Sequence, residues 1–261
     1  MIITLSSVTD LGSRKKVNQD AMCALQKDTK IFRSAMGVIC DGVGGCEHSE
    51  IASNFAVRAF SEWYDCFYPD IADITDEDEF CSQLYEKWFG IFDSVNSFIT
   101  AFANANDTRL GSTFTCVMVR GNYYYILHIG DTRAYSISSE IKQLTVDHTV
   151  TQREVEKGMI TPEEAQNDDR RHTLTKCLGL KDHIRPAFYT GSIENDTKFL
   201  ICSDGFRDKL SEDELADMLG REKAFKKDRL SKALKKIVKN GRAAGETDNV
   251  SAVVIQVSEE R

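Results

Sequence analysis

A chain of 261 residues that is 41% hydrophobic can bury a substantial core, and nothing in its make-up points to disorder. Its formal net charge of −8 argues against a nucleic-acid or anionic-membrane binder, which normally carries a basic face. No apolar run approaches the roughly 20 residues needed to span a bilayer, and Met1-Ile2-Ile3-Thr4-Leu5 does not open a leader-type segment. Strand-like runs begin the chain at residues 2–8, 21–25 and 35–40. Ser49–Cys66 then reads as a helix, with Ile51, Ala52, Phe55, Ala56, Ala59 and Phe60 recurring on one face. An acidic stretch over 73–79 leads into a second helical pattern over 80–105, carrying Leu84, Trp88, Ile91 and Val95. The middle is β-rich: 113–119 and Tyr123–Ile129 flank the turn Gly121-Asn122, a hairpin signal. The run at 134–137 is expected to pair with the strand before it. Residues 149–166 read as a charged, helical, mobile flap broken at Gly158 and Pro162. Strands return at 187–193 and Lys198–Cys202, joined by the turn residues Asn195-Asp196. Helices follow over 211–219 and 228–239, the first opened by the capping box Ser211 and Glu214. The chain closes on 250–257, whose alternation suits a half-buried strand. Hairpins outnumber strand–helix–strand units, so antiparallel sheets packed with helices are expected.

The eight cysteines form no C-x-x-C pair, and several, such as Cys40 and Cys202, sit inside apolar runs. They read as small reduced core residues of a cytoplasmic protein. With three scattered prolines, no repeat and no low-complexity segment, 1–261 reads as a single domain.

Four times an apolar strand meets an aspartate beside glycine or asparagine. The segments are Cys40-Asp41-Gly42-Val43-Gly44-Gly45, Ile129-Gly130-Asp131-Thr132-Arg133, Cys202-Ser203-Asp204-Gly205 and Thr247-Asp248-Asn249-Val250. A carboxylate at a strand mouth can meet others from neighbouring strands, and a flanking glycine lets an ion approach the backbone. Clustered carboxylates repel unless cations lie between them, and oxygen-only ligands suit Mg²⁺ or Mn²⁺ rather than Zn²⁺. Two such ions can activate a water for in-line attack at phosphorus. Any single Asp-Gly is more often a turn; four against apolar strands shift the balance towards a hydrolase.

At these residues the chain resembles the metal-dependent protein phosphatases of the 2C type. The matching segments run in the family's order: Gly12-Ser13-Arg14-Lys15-Lys16-Val17-Asn18-Gln19-Asp20, Cys40 to Gly45, Leu110-Gly111-Ser112-Thr113, Ile129 to Tyr135, Leu144-Thr145-Val146-Asp147-His148, Cys202-Ser203-Asp204-Gly205-Phe206 and Asp248-Asn249-Val250-Ser251. The resemblance implies an α+β fold, a four-layer sandwich of two mainly antiparallel β-sheets flanked by helices, with a two-metal centre at one edge. It implies that Asp41 bridges two Mn²⁺ or Mg²⁺ ions, that the Gly42 carbonyl serves the second, and that Asp204 and Asp248 hold the first. Asp131 and Asp208 would lie near a further, weaker site. It implies hydrolysis of phosphoserine and phosphothreonine in proteins by direct attack of a metal-bridging hydroxide. The partners implied are phosphorylated proteins and an opposing serine/threonine kinase, with the enzyme a monomer.

Three positions depart from the family pattern. Gln19 stands where many members carry glutamate before the aspartate matching Asp20; both stay among the candidate metal residues, the amide as a neutral ligand. The family's phosphate-binding arginine falls on Lys15, with Arg14 beside it, and either could hold phosphate. Val43 replaces a histidine proposed as general acid in eukaryotic members. His48, His128, His148, His172 and His183 read as structural. A phosphatase-like fold that only binds a phosphoprotein is the rival reading.

Overall fold

Strand β10 (Val250–Ser258) carries apolar residues on both faces, and all nine of its positions are buried. A strand without a wet face needs cover on each side, and the architecture supplies it. In a computed structural model that describes every residue except 47, 194–195, 222–225 and 260–261, β10 is the second strand of a five-stranded antiparallel sheet. Its neighbours are β1 (Ile2–Asp10) and β9 (Lys198–Cys202), followed by β6 (Arg133–Ile137) and β7 (Ile141–Gln143). The second sheet runs β2 (Ala21–Asp28), β3 (Arg33–Cys40), β4 (Phe114–Arg120), β5 (Tyr123–Ile129) and β8 (Ala187–Ser192), again antiparallel throughout.

Side-chain alternation sorts the strands into three cores. Val253 and Ile255 of β10 point inward with Ile201, Phe199, Ile39, Val117 and Ile126, filling the space between the sheets. Ala252 and Val254 point outward against α6 (Glu212–Leu219) and α7 (Lys227–Ala243), which follow the one-turn α5 (Asp204–Arg207), through Leu215, Leu219, Leu230, Leu234 and Ile237. On the other side α1 (Ser49–Cys66) and α2 (Glu77–Ala105) cover Met36, Val38, Cys116 and Phe114 with Phe60, Trp63, Trp88 and Phe92. The result is the four-layer sandwich expected. Gly37 marks how closely the sheets approach: a Cβ there would stand 2.7 Å from Ile201 Cδ1 and 2.8 Å from Val253 Cγ1.

Local signals held where their chemistry is local. Ser211 and Glu214 form the capping box of α6. The hairpin at Gly121-Asn122 joins β4 to β5. Helix α2 begins at Glu77, earlier than the apolar pattern suggested, because the Asp76 carboxylate accepts the Glu79 N–H at 2.9 Å.

Pairings across the molecule differ. The 134–137 strand does not pair with β5; β6 lies in the other sheet between β9 and β7. The chain leaves the second sheet at Gly130, at φ 106°, where a Cβ would be 2.6 Å from Thr113 Cβ. Nor do β8 and β9 make a hairpin, since one lies in each sheet; Asn195, expected in their turn, falls outside the described residues. Pro162 does not break a helix but starts α4 (Pro162–Asn167), behind a Thr161–Glu164 capping box, after α3 (Val150–Glu156) has ended. The last strand is fully rather than half buried. All eight cysteines are free. Among the described residues no helix is long and apolar enough to cross a membrane.

Candidate metal centre

Strand ends bring the aspartates together. β3 and β5 both pair antiparallel with β4, so they run the same way and end at the same edge. Asp41 and Asp131 leave the second sheet there. In the first sheet Ala252 of β10 pairs with Cys202 of β9, which sets Asp248, before β10, beside Asp204, after β9. The four meet in a cleft of about 410 Å³ that Lys15, Gly42, His172, Asp208 and Glu246 also line.

The backbone under Asp41 is pinned on both sides. Its N–H donates to Thr113 Oγ1 at 2.9 Å, and its carbonyl accepts the Thr113 N–H at 2.8 Å. Gly42 donates its N–H to the Gln19 carbonyl at 3.1 Å. A Cβ on Gly42 would lie 2.9 Å from Gln19 Cβ and from Ser49 Cβ, so only glycine fits. The Gln19 side chain points elsewhere, donating to the Cys46 carbonyl at 3.4 Å, and Gln19 does not line the cleft. Asp20 sits buried behind it. Ser203 donates to Asp20 Oδ2 at 3.2 Å, while Oδ1 has no hydrogen-bond partner among the described residues.

Lys15 and Arg14, equivalent on sequence, separate here. Lys15 Nζ lies 2.7 Å from Asp248 Oδ1 and lines the cleft. Burial would lower its pKa, but Asp248, Asp41 and Asp204 outweigh burial and raise it. Arg14 is exposed and reaches Thr247 only through its main chain, at 3.4 Å. Asn249 holds this loop in place: its Oδ1 accepts the Gln19 N–H at 2.9 Å and its Nδ2 donates to the Leu11 carbonyl at 2.6 Å.

His172, read from sequence as structural, lies inside the cleft. Its Nε2 is 2.9 Å from Asp208 Oδ2, and its Nδ1 is 3.2 Å from Asp204 Oδ2 and 3.7 Å from Asp131 Oδ2. Those carboxylates, Asp131 foremost, hold the imidazole at about 11. Asp208 also accepts from Arg207 Nη1 at 3.1 Å. Glu246 was another residue without a sequence signal of its own; its Oε1 accepts the N–H groups of Thr247 and Asp248 at 2.7 and 2.8 Å, shaping the turn that presents Asp248.

Electrostatics show an excess of negative charge. Burial, then the charges of Asp20, Asp204, Asp131 and Asp248, push the Asp41 carboxyl well above the usual carboxylate range. Burial and the neighbouring Asp204 charge lift Asp20 to about 6. Asp131 is raised by burial and by Asp204, against the opposing pull of His172. Asp204 alone moves down: burial would raise it, but His172 and Arg207 bring it to about 2. Mutually repelling carboxylates and the unpartnered buried Oδ1 of Asp20 are what a divalent cation with oxygen preference would relieve, so the donor set fits Mn²⁺ or Mg²⁺.

The sequence profile of a family described as protein phosphatase 2C matches residues 12–239. Protein phosphatase PhpP of Streptococcus pneumoniae is 27% identical over 262 residues, covering 98% of each chain. The fold is similar to that of the serine/threonine phosphatase Stp1 from Staphylococcus aureus, with a TM-score of 0.85 at 24% identity, covering 99% of this chain and 96% of that one. It is also similar to the catalytic domain of the serine/threonine protein phosphatase PstP solved with two manganese ions, with a TM-score of 0.74 at 24% identity, covering 98% and 99%.

Proposed function

The chain belongs to the protein phosphatase 2C family, and from that premise we propose that it is a metal-dependent hydrolase removing phosphate from phosphoserine and phosphothreonine in proteins. The observation that carries this reading is the convergence of Asp41, Asp131, Asp204, Asp208 and Asp248 with Lys15 in one open cleft. The serine/threonine phosphatase names of its relatives support the substrate class, and the manganese-loaded PstP domain supports Mn²⁺ or Mg²⁺ as cofactor.

In this reading Asp41, the Gly42 carbonyl, Asp204 and Asp248 would hold the two ions, with Asp41 shared between them. Asp20 backs them, its buried Oδ1 having no hydrogen-bond partner among the described residues, whereas the Gln19 side chain turns away to donate to the Cys46 carbonyl. Asp131 and Asp208 belong to a further, weaker site. When bound, the ions supply Lewis acidity, lowering the pKa of water and drawing charge from the phosphate oxygens. Lys15 offers a point charge to a non-bridging phosphate oxygen, next to Asp248. Val43 has no proton to give to the leaving serine or threonine oxygen. The same reading makes a serine/threonine kinase the counterpart of this enzyme, and the enzyme itself a cytoplasmic monomer formed by one domain over 1–261.

Phosphate release from a phosphothreonine peptide, after EDTA treatment and with or without added Mn²⁺, tests the reading. Manganese-dependent release with a phosphotyrosine peptide barely touched is expected. A folded protein that releases nothing at any metal concentration would leave a phosphoprotein-binding module instead.

A further inference from the structure

Helix α7 is a basic element on an acidic chain. Lys227–Ala243 holds seven lysines and arginines against one aspartate, a net +6, which leaves −14 for the rest of a chain of net −8. Its apolar side, Leu230, Leu234 and Ile237, is buried against the first sheet. Lys232, Lys235, Lys236 and Lys239 recur at helical spacing on the opposite side, and all four are exposed. Among the described residues none of the four is ion-paired, whereas Arg221, just past α6, lies 2.7 Å from Asp217 Oδ1. Like charges at i,i+4, as in Lys232–Lys236 and Lys235–Lys239, cost a helix stability, and an outside anion relieves that repulsion. The C-terminal end of the helix adjoins the cleft. Arg242 Nε donates to Asp10 Oδ1 at 3.1 Å, and its Nη1 donates to the carbonyl of the cleft residue Glu246 at 3.0 Å. Helix α5, whose first residue is Asp204, packs against α7.

We propose that this face of α7 docks an acidic segment of a phosphoprotein whose phosphoresidue occupies the cleft. The inference rests on the phosphatase reading and adds a substrate class to it: phosphoproteins with a run of acidic side chains near the phosphorylated one. From Arg229 to Lys239 the row is about 15 Å long, the reach of about five residues of extended chain. Its small extent selects the partner. A bilayer or a nucleic-acid duplex would also bring its charge against the acidic remainder of the molecule, whereas a short segment meets the lysines alone. Nor does the face carry an exposed large apolar side chain for a bilayer to bury.

Phosphate release from phosphothreonine peptides with a common core tests the face. Either flank is extended by about six glutamates, or by as many glutamines as the neutral control. At about 50 mM salt, Mn²⁺-loaded wild type should show a KM about tenfold lower for the better glutamate peptide than for its control, with kcat alike. About 0.5 M salt should erase the difference. Combining Lys232→Gln, Lys235→Gln, Lys236→Gln and Lys239→Gln should erase it too, with kcat and the control KM unchanged. Equal KM values for glutamate and glutamine peptides in wild type overturn the proposal, and that comparison needs no variant to fold. So does a preference that survives in the combined variant, which would place acid recognition elsewhere. Lysine-dependent co-sedimentation with phosphatidylserine vesicles, without any preference between peptides, would assign the face to a membrane instead. Fluorescence anisotropy of a labelled, unphosphorylated glutamate peptide on the same samples separates this inference from the function it rests on. Lysine-dependent binding without hydrolysis of any peptide supports the face and refutes the phosphatase; hydrolysis indifferent to the glutamates refutes the face and leaves the phosphatase standing. Neither binding nor hydrolysis refutes both.

Discussion

The carboxyl of Asp41 shares its enclosure with Asp20, Asp131, Asp204 and Asp248, and burial with their charges holds its pKa well above the ordinary value. A carboxyl whose folded pKa is raised costs the metal-free fold stability once pH exceeds the ordinary carboxylate range. Asp41→Asn removes that cost. We expect the variant to release no phosphate, yet to melt higher than wild type in EDTA at pH 7, by about 2–4 °C for each kcal/mol of repulsion relieved. Unchanged turnover would remove Asp41 from the metal centre. Lys15 is the other residue whose role is separable, since it lies at the cleft while Arg14 faces solvent. Lys15→Ala should raise KM for a phosphopeptide about tenfold or more, the loss expected for one hydrogen bond to a charged group. Lys15→Arg should restore most of it. A KM untouched by the alanine variant would show that the lysine serves Asp248 alone.

Elements matter here through their ends. Strands β3, β5, β9 and β10 each give one aspartate to the cleft, and the loop over 11–19 gives Lys15. Asn249, at the mouth of β10, ties that loop down through Gln19 and Leu11 at 2.9 and 2.6 Å. Removing these bonds in Asn249→Ala should cost about 1–3 kcal/mol of stability, because part-buried main-chain groups of the loop lose their partners. It should also raise KM in the direction of Lys15→Ala, since the lysine rides on the released loop. A thermal melt and a steady-state assay on one preparation check both, and a variant that melts lower with unchanged KM would confine Asn249 to folding. The flap helices α3 and α4 act at the same scale. They are short and capped by Thr149 and Thr161, and the cleft residue His172 follows them in the chain.

Across the whole molecule, the sandwich turns two sheet edges towards one another and concentrates carboxylates there. That arrangement makes stability depend jointly on metal and pH. Asp20 is held at about 6, above the ordinary 3.8. Below pH 4 it is protonated whether the chain is folded or not, and the metal-free protein suffers little repulsion. As pH rises through about 6 the carboxyl ionises and the metal-free fold loses stability, whereas bound Mn²⁺ offsets the charge. The gap in Tm between Mn²⁺-loaded and EDTA-treated protein should therefore be small at pH 5 and widen by pH 8. His128 has the opposite sign: burial and the stacked His148 push it from 6.5 down to about 3, so its contribution is lost as pH falls through that range. It acts on both forms and cancels in the gap. A gap that stays constant with pH would overturn the argument.

The sequence by itself determined what is local or periodic: the helix over Ser49–Cys66, the capping box at Ser211, the hairpin at Gly121, and the aspartates at strand mouths. Each depends on neighbours within a few residues, where covalent geometry and a single hydrogen bond decide. Only the tertiary structure decided which sheet a strand joined. In a four-layer sandwich β6, β9 and β10 are apolar on both faces, so their pattern is the same whichever partner they take, and the expected pairings of β6 with β5 and β8 with β9 were not found. It also decided between Arg14 and Lys15, adjacent cations whose directions depend on how Asn249 ties the loop. His172 lay beyond sequence reading for the same reason. It stands 32 or more residues along the chain from Asp204 and Asp131, and only folding brings its ring to their carboxylates.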